Sequence, residues 1–79
     1  MMKQKNSSAG FRSLSTLLHL RTAVIEQRPV LVFMAGELIG SGVIDAIDEN
    51  VTFDDITEDI VYIKGERYIR NVCAFYYAR

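Results

Sequence analysis

Residues 29–48 read Pro-Val-Leu-Val-Phe-Met-Ala-Gly-Glu-Leu-Ile-Gly-Ser-Gly-Val-Ile-Asp-Ala-Ile-Asp, and this stretch decides the fold. Pro29 pushes the residue before it out of the α region, so any preceding helix ends by Arg28. From Val30 to Ala35 the run is continuously apolar. Neither alternate set is polar, which predicts a strand buried on both faces. Gly36-Glu37 suits a tight turn. Leu38 to Asp48 predicts a second strand, and Gly40 and Gly42 within it mark a sharp bend or close packing.

Upstream, residues 1–10 read as a flexible arm, and residues 11–79 as a single domain. Ser7 or Ser8 can cap a helix. Phe11, Leu14, Leu17, Leu18 and Ile25 follow the 3–4 spacing of an amphipathic helix whose other face holds Arg12, Ser13, Ser15, Thr16 and Arg21. The β-branched Thr22, Val24 and Ile25 favour an end near residues 22–26. Downstream, Asp48-Glu49-Asn50 reads as a turn. Asn50 to Asp54 reads as a short strand, Asp54 to Asp59 as an acidic loop, and Ile60 to Lys64 as a strand. Gly65-Glu66 then turns the chain into a last strand, Arg67 to Tyr77. One helix followed by five strands with short connections predicts a mainly β fold. The expected form is a small, strongly bent, five-stranded antiparallel barrel with an N-terminal α-helix.

The chain has 79 residues, 49% of them apolar, one cysteine and a net charge of −1. That length allows one domain and a core too small to offset chain entropy comfortably. Cys73 has no partner for an internal disulfide, so oligomerisation is the available reinforcement. No run approaches the ~18 apolar residues of a membrane span. Polar residues follow Lys3 and Lys5 where a secretory leader would be apolar, which points to the cytoplasm. The charge is segregated. Residues 1–29 hold five bases against Glu26 alone; residues 36–59 hold eight acids and no base; residues 60–79 hold four bases against Glu66. Such a chain can carry one cationic and one anionic face, or simply a solvated run of turn acids.

The arguments for chemistry are thin. His19 has no identifiable nucleophile or orienting partner for general-base work. Asp48 to Asp59 has the length of a calcium loop, but Phe53 stands where the glycine is required and the closing glutamate is missing. No phosphate-cradling glycine loop or nucleophile elbow occurs. The chain is expected to be non-enzymatic, without cofactor or metal.

Arg28-Pro29-Val30-Leu31-Val32-Phe33-Met34, then Gly42-Val43-Ile44-Asp45-Ala46-Ile47-Asp48, then Val61-Tyr62-Ile63-Lys64-Gly65 resemble, in that order, the motifs of the Sm-like family and its bacterial host-factor (Hfq) branch. The resemblance covers about residues 11–77. It implies an SH3-like, Sm-like barrel and a homo-oligomeric ring of about five to seven subunits. It also implies binding of short single-stranded RNA near a central pore. The chain departs from the pattern at Lys64 (arginine in the family), at Glu66-Arg67 (an Asn-containing turn), and in lacking the Lys-His pair after the tyrosine. It also lacks the helix-start Gln-Asp pair, with Thr16 and Leu17 nearest. A single-strand site needs a planar group to stack a base and a cation for the phosphate. Tyr62, Lys64, Gly65 and Arg67 are the candidates, with Tyr68 beside them and with Asn50, which is out of register with the family's asparagine, near whose position Thr52 sits; Asp48 and Glu49 would repel phosphate there. Lys3, Lys5, Arg12 and Arg21 offer a second basic surface. The last strand carries large groups on both faces, so Tyr68, Arg70, Val72, Phe75 and Tyr77 are expected at a subunit interface, unless the helix or arm covers them in the same chain. The alternative function is a structural or protein-interaction ring that lacks the RNA pocket.

Overall fold

The computed structural model describes residues 13–78. Helix α1 (Leu17–Glu26) is followed by β1 (Pro29–Met34), β2 (Glu37–Phe53), β3 (Ile56–Ile63), β4 (Glu66–Ile69), a 3-10 turn (Arg70–Val72) and β5 (Ala74–Tyr77). All neighbouring strands are antiparallel, in the order β4-β3-β2-β1-β5. The fold is therefore mainly β with one N-terminal helix, as expected. The sheet bends strongly but is not closed, because β4 and β5 do not pair with each other.

Three two-residue turns set the registers. Ala35-Gly36, Asp54-Asp55 and Lys64-Gly65 all have positive φ at both positions. That is the hairpin turn whose twist matches the flanking strands. Each glycine-containing turn begins one residue earlier than the sequence suggested. The expected acidic loop contracts to Asp54-Asp55, and Ile56 to Asp59 join β3. Likewise Leu38–Asp48 and Asn50–Asp54 form one 17-residue strand. Asp48-Glu49-Asn50 is a register irregularity inside it, with Asn50 at φ 58°.

This long β2 pairs with β1 through its first half and with β3 through its second. Gly42, at φ 138°, sits between the two halves. The bend folds β4 back so that the Tyr68 ring lies on Gly40, and a Cβ at Gly40 would overlap the phenol. Inside the bend lie Val30, Val32, Ile44, Val61, Ile63, Phe75 and Tyr77, and Leu20 and Ala23 of α1 cover them. Strand β1 alternates: Val30 and Val32 are fully buried, whereas Leu31 and Phe33 are half-buried and Met34 is exposed. The expectation of burial on both faces is thus corrected: only one face reaches the core.

The helix also departs from expectation. Thr16 caps it, its hydroxyl accepting from the His19 N–H at 3.1 Å. Leu14, before the helix, donates its N–H to the Phe75 carbonyl at 2.8 Å. A cap at Thr16 rotates the buried face onto Leu20 and Ala23, leaving Leu18 70% and Ile25 81% exposed. The helix ends at Gln27 in the left-handed region, and Arg28 donates to the Ala23 carbonyl at 3.1 Å. The expected arm over residues 1–10, its caps Ser7 and Ser8, and Phe11 lie outside the described residues.

Two outcomes test this packing. Leu20→Ala should cost about 2–5 kcal/mol in urea unfolding, while Leu18→Ala should change stability by less than about 0.5 kcal/mol; equal losses would refute the buried face. Gly40→Ala should destabilise by about 1–3 kcal/mol, and Tyr68→Ala in the same chain should recover part of that loss. Simple additivity of the two would show that ring and glycine are not in contact.

Candidate functional site

Tyr62 on β3 stands opposite Arg67 on β4, and Lys64-Gly65 is the turn that joins the two strands. Four of the five residues expected to contact RNA are therefore adjacent. Asn50 is not among them. It lies about 16 Å along β2, by strand rise, from the residue bonded to that turn. Its N–H donates to Asp59 Oδ1 at 3.0 Å, and Arg70 Nη1 reaches Asp59 Oδ2 at 3.5 Å. Asn50 belongs instead to a separate polar cleft that it shares with Glu58, Asp59, Arg70 and Asn71.

Carboxylates hold the Tyr62–Arg67 end in place. Lys64 donates its backbone N–H to Asp45 Oδ2 at 2.8 Å. Its aliphatic stem runs over Gly42, where a Cβ would come within 2.9 Å of Lys64 Cε. The Tyr62 hydroxyl donates to Asp48 Oδ2 at 3.1 Å. That hydrogen bond, then desolvation, then the charge of Asp48 raise the Tyr62 pKa above its ordinary value, with Arg67 opposing. Desolvation likewise raises the half-buried Cys73 thiol.

The surrounding charge is unfavourable to phosphate. All ten carboxylates lie within the described residues, whereas Lys3, Lys5, Arg12 and Arg79 lie outside them. Arg21 pairs with Glu49, Arg70 with Asp59, and Arg28 approaches Glu26 at 3.9 Å while stacking 3.8 Å from the Tyr77 ring centroid. Among the described residues, Lys64 and Arg67 are the cations without an acidic side chain in ion-pair range. The described residues contain no cluster of three metal-ligating side chains and no helix long and apolar enough to cross a membrane.

The residues expected at an interface separate into two groups. Phe75 and Tyr77 are buried in the chain's own core. The 3-10 turn Arg70–Val72 interrupts the strand expected over Arg67–Tyr77, and β5 restarts with these two residues facing inward. Tyr68 is half-buried on Gly40, Arg70 is held by Asp59, and Val72 is exposed. Sequence reasoning missed the exposed apolar side chains Phe53, Ile56 and Ile69. Two adjacent aspartates between Phe53 and Ile56 were the available signal, since a polar pair between β-forming residues marks a hairpin.

Among the described residues, no strand lies beside the outer edge of β4. The outer edge of β5 is partly covered: Ser13 forms an antiparallel bridge with Tyr76, beside the bond from the Leu14 N–H to Phe75.

Tyrosine ring-carbon NMR should show Tyr62 titrating above the ordinary value near 10, and Asp48→Ala should bring it back toward that value. Because the folded-state pKa is raised, this contact's stabilisation is present below the ordinary value and is lost as pH climbs through the raised one. An unshifted Tyr62 in the parent protein would remove the Asp48 bond from the account.

Comparison with known proteins adds no relative: no family model, no curated protein and no solved structure matches this chain.

Proposed function

We propose that this chain is a subunit of a homo-oligomeric, Sm-like ring, with the β4 edge of one copy pairing against the β5 edge of the next, and that the ring serves as a structural or protein-interaction platform. The observation that carries this reading is the strand order. A bent sheet ending in β4 on one side and β5 on the other has two different edges, each four residues long. Pairing unlike edges is heterologous, and heterologous contacts close into rings when the rotation per subunit permits. Exposed Ile69 in β4 and Val72 before β5 add apolar surface beside both edges. An open edge with apolar flanks otherwise recruits strands unselectively, so a defined partner resolves the liability.

Single-stranded RNA binding is the second reading. It is favoured by Lys64 and Arg67, which flank Tyr62 without acidic partners among the described residues. The platform reading ranks above it because Asp45 and Asp48 stand at the same end of the hairpin, and fixed carboxylates oppose a polyphosphate chain.

Native mass spectrometry at moderate salt, with and without a short single-stranded RNA, separates the readings. The platform reading expects one closed oligomer, free of RNA and weakened by Val72→Glu. RNA retained in a salt-dependent way and lost in the Lys64→Ala/Arg67→Ala variant would establish the second reading instead. A monomer at every concentration would overturn the assembly.

A further inference from the structure

We infer that the segment entering α1 is an intramolecular strap on the assembly edge, so that Ser13 and Leu14 compete with the β4 strand of a second copy for β5. The inference rests on the edge-pairing reading above and names how that edge is regulated. Strand β5 has two sides. One is paired with β1, from Val30↔Tyr77 to Phe33↔Ala74. The other carries the Ser13↔Tyr76 bridge and accepts the Leu14 N–H at Phe75. Backbone groups satisfied by the strap are unavailable to another strand, because each carbonyl and amide on a strand edge serves one ladder at a time.

The strap is short and differently anchored at its two residues. Leu14 is buried in the core, whereas Ser13 is exposed. Among the described residues it belongs to no named strand, and the bridge to Tyr76 is isolated. An isolated bridge lacks the neighbouring ladder bonds that make strand pairing cooperative. A four-residue strand such as β4 offers more consecutive backbone bonds to the same edge. Ser13 also joins directly to residues 1–12, which bear Lys3, Lys5 and Arg12 without an acid. Assembly is thereby controlled at a single edge rather than through a change in the core.

Ser13 and Tyr76 are directly opposed, which allows a reversible lock. In a Cys73→Ser background, Ser13→Cys with Tyr76→Cys places two thiols at paired positions of an antiparallel bridge, a separation that a disulfide can span. The oxidised protein should have a dissociation midpoint at least about tenfold higher than the same protein reduced, measured by analytical ultracentrifugation. A chain shortened to begin at Ser15, which lacks both strap residues, should assemble at least about tenfold more tightly than the full chain, and its circular dichroism should report whether the fold is kept. If the reduced protein assembles and oxidation changes nothing, the strap inference fails and the edge-pairing reading stands. If the full chain, the reduced variant and the shortened chain are all monomeric while folded, the edge-pairing reading fails and takes the strap with it.

Discussion

The approach of Tyr68 to Gly40 is the contact on which the rest of the structure depends. A flat β2 would keep β4 and β1 far apart, and their apolar faces would have nothing to cover. The bend at Gly40–Gly42 brings the β3–β4 half over the β1 half, and it can do so because position 40 has no Cβ to hold the phenol away. Gly42 contributes conformation as well as space: its φ is one that L residues rarely adopt, and Lys64 and Ile63 close over it. One position thus supplies room, and the other supplies room together with the turn of the backbone. Helix α1 then fills the concave side with Leu20 and Ala23, and Val24 packs against the same cluster. For a 79-residue chain this is an economical core, and it explains why so much apolar surface remains outside it.

The acidic stretch between residues 45 and 59 has a structural share in this arrangement. Asp45 receives the backbone of the β3–β4 turn, Asp48 receives the Tyr62 hydroxyl, and Asp59 receives both the Asn50 backbone and Arg70. Glu49 pairs with Arg21 and so fastens α1 to β2. These carboxylates act as acceptors at points where the sheet is irregular or turning. Apart from the partly buried Arg70–Asp59 contact, their bonds are exposed and individually modest, yet each fixes a different joint. A segment that looks like an anionic face in sequence is, in four of its seven acids, stitching. Asp54, Asp55 and Glu58 have no such partner among the described residues, and they supply the solvated charge of the hairpin tip.

Much of the fold was legible because it rests on residues with narrow conformational choices. Pro29 marked the helix-to-strand boundary, and the Val30–Ala35 run marked β1. Gly40 and Gly42 marked the bend. The parts that misled were those where periodicity depends on knowing where an element begins. Leu14, Leu17 and Leu18 fit a helix starting at Phe11, but Thr16 captures the helix start, and the inward face turns to Leu20 and Ala23. The alternation expected across Arg67–Tyr77 assumed an unbroken strand. The 3-10 turn resets that count, so Phe75 and Tyr77 point inward. Of the candidate site, the Tyr62–Arg67 hairpin end was readable from local spacing. The displacement of Asn50 was not, because β2 continues through a region that reads as a turn. The partial cover on β5 was also unreadable, since nothing in Ser13-Leu14 marks a single bridge across more than sixty residues of chain.

Beyond the last β3–β4 pair, Ile60↔Ile69, the strands β2 and β3 continue as a two-stranded ribbon through Val51↔Glu58, Thr52↔Thr57 and Phe53↔Ile56. The Thr52 and Thr57 hydroxyls meet at 3.2 Å across it. Among the described residues no third strand flanks this ribbon, and it contributes no residue to the core cluster. Its opening is therefore a local event, separable from global unfolding. Its length is also unconstrained by the core. Residues can be removed or added as cross-strand pairs, leaving the inward and outward sides of both strands unchanged. The tip at Asp54-Asp55 is the natural point of insertion in this chain, a place where a tag, an epitope or a recognition loop can be carried at the end of a stalk whose attachment never moves.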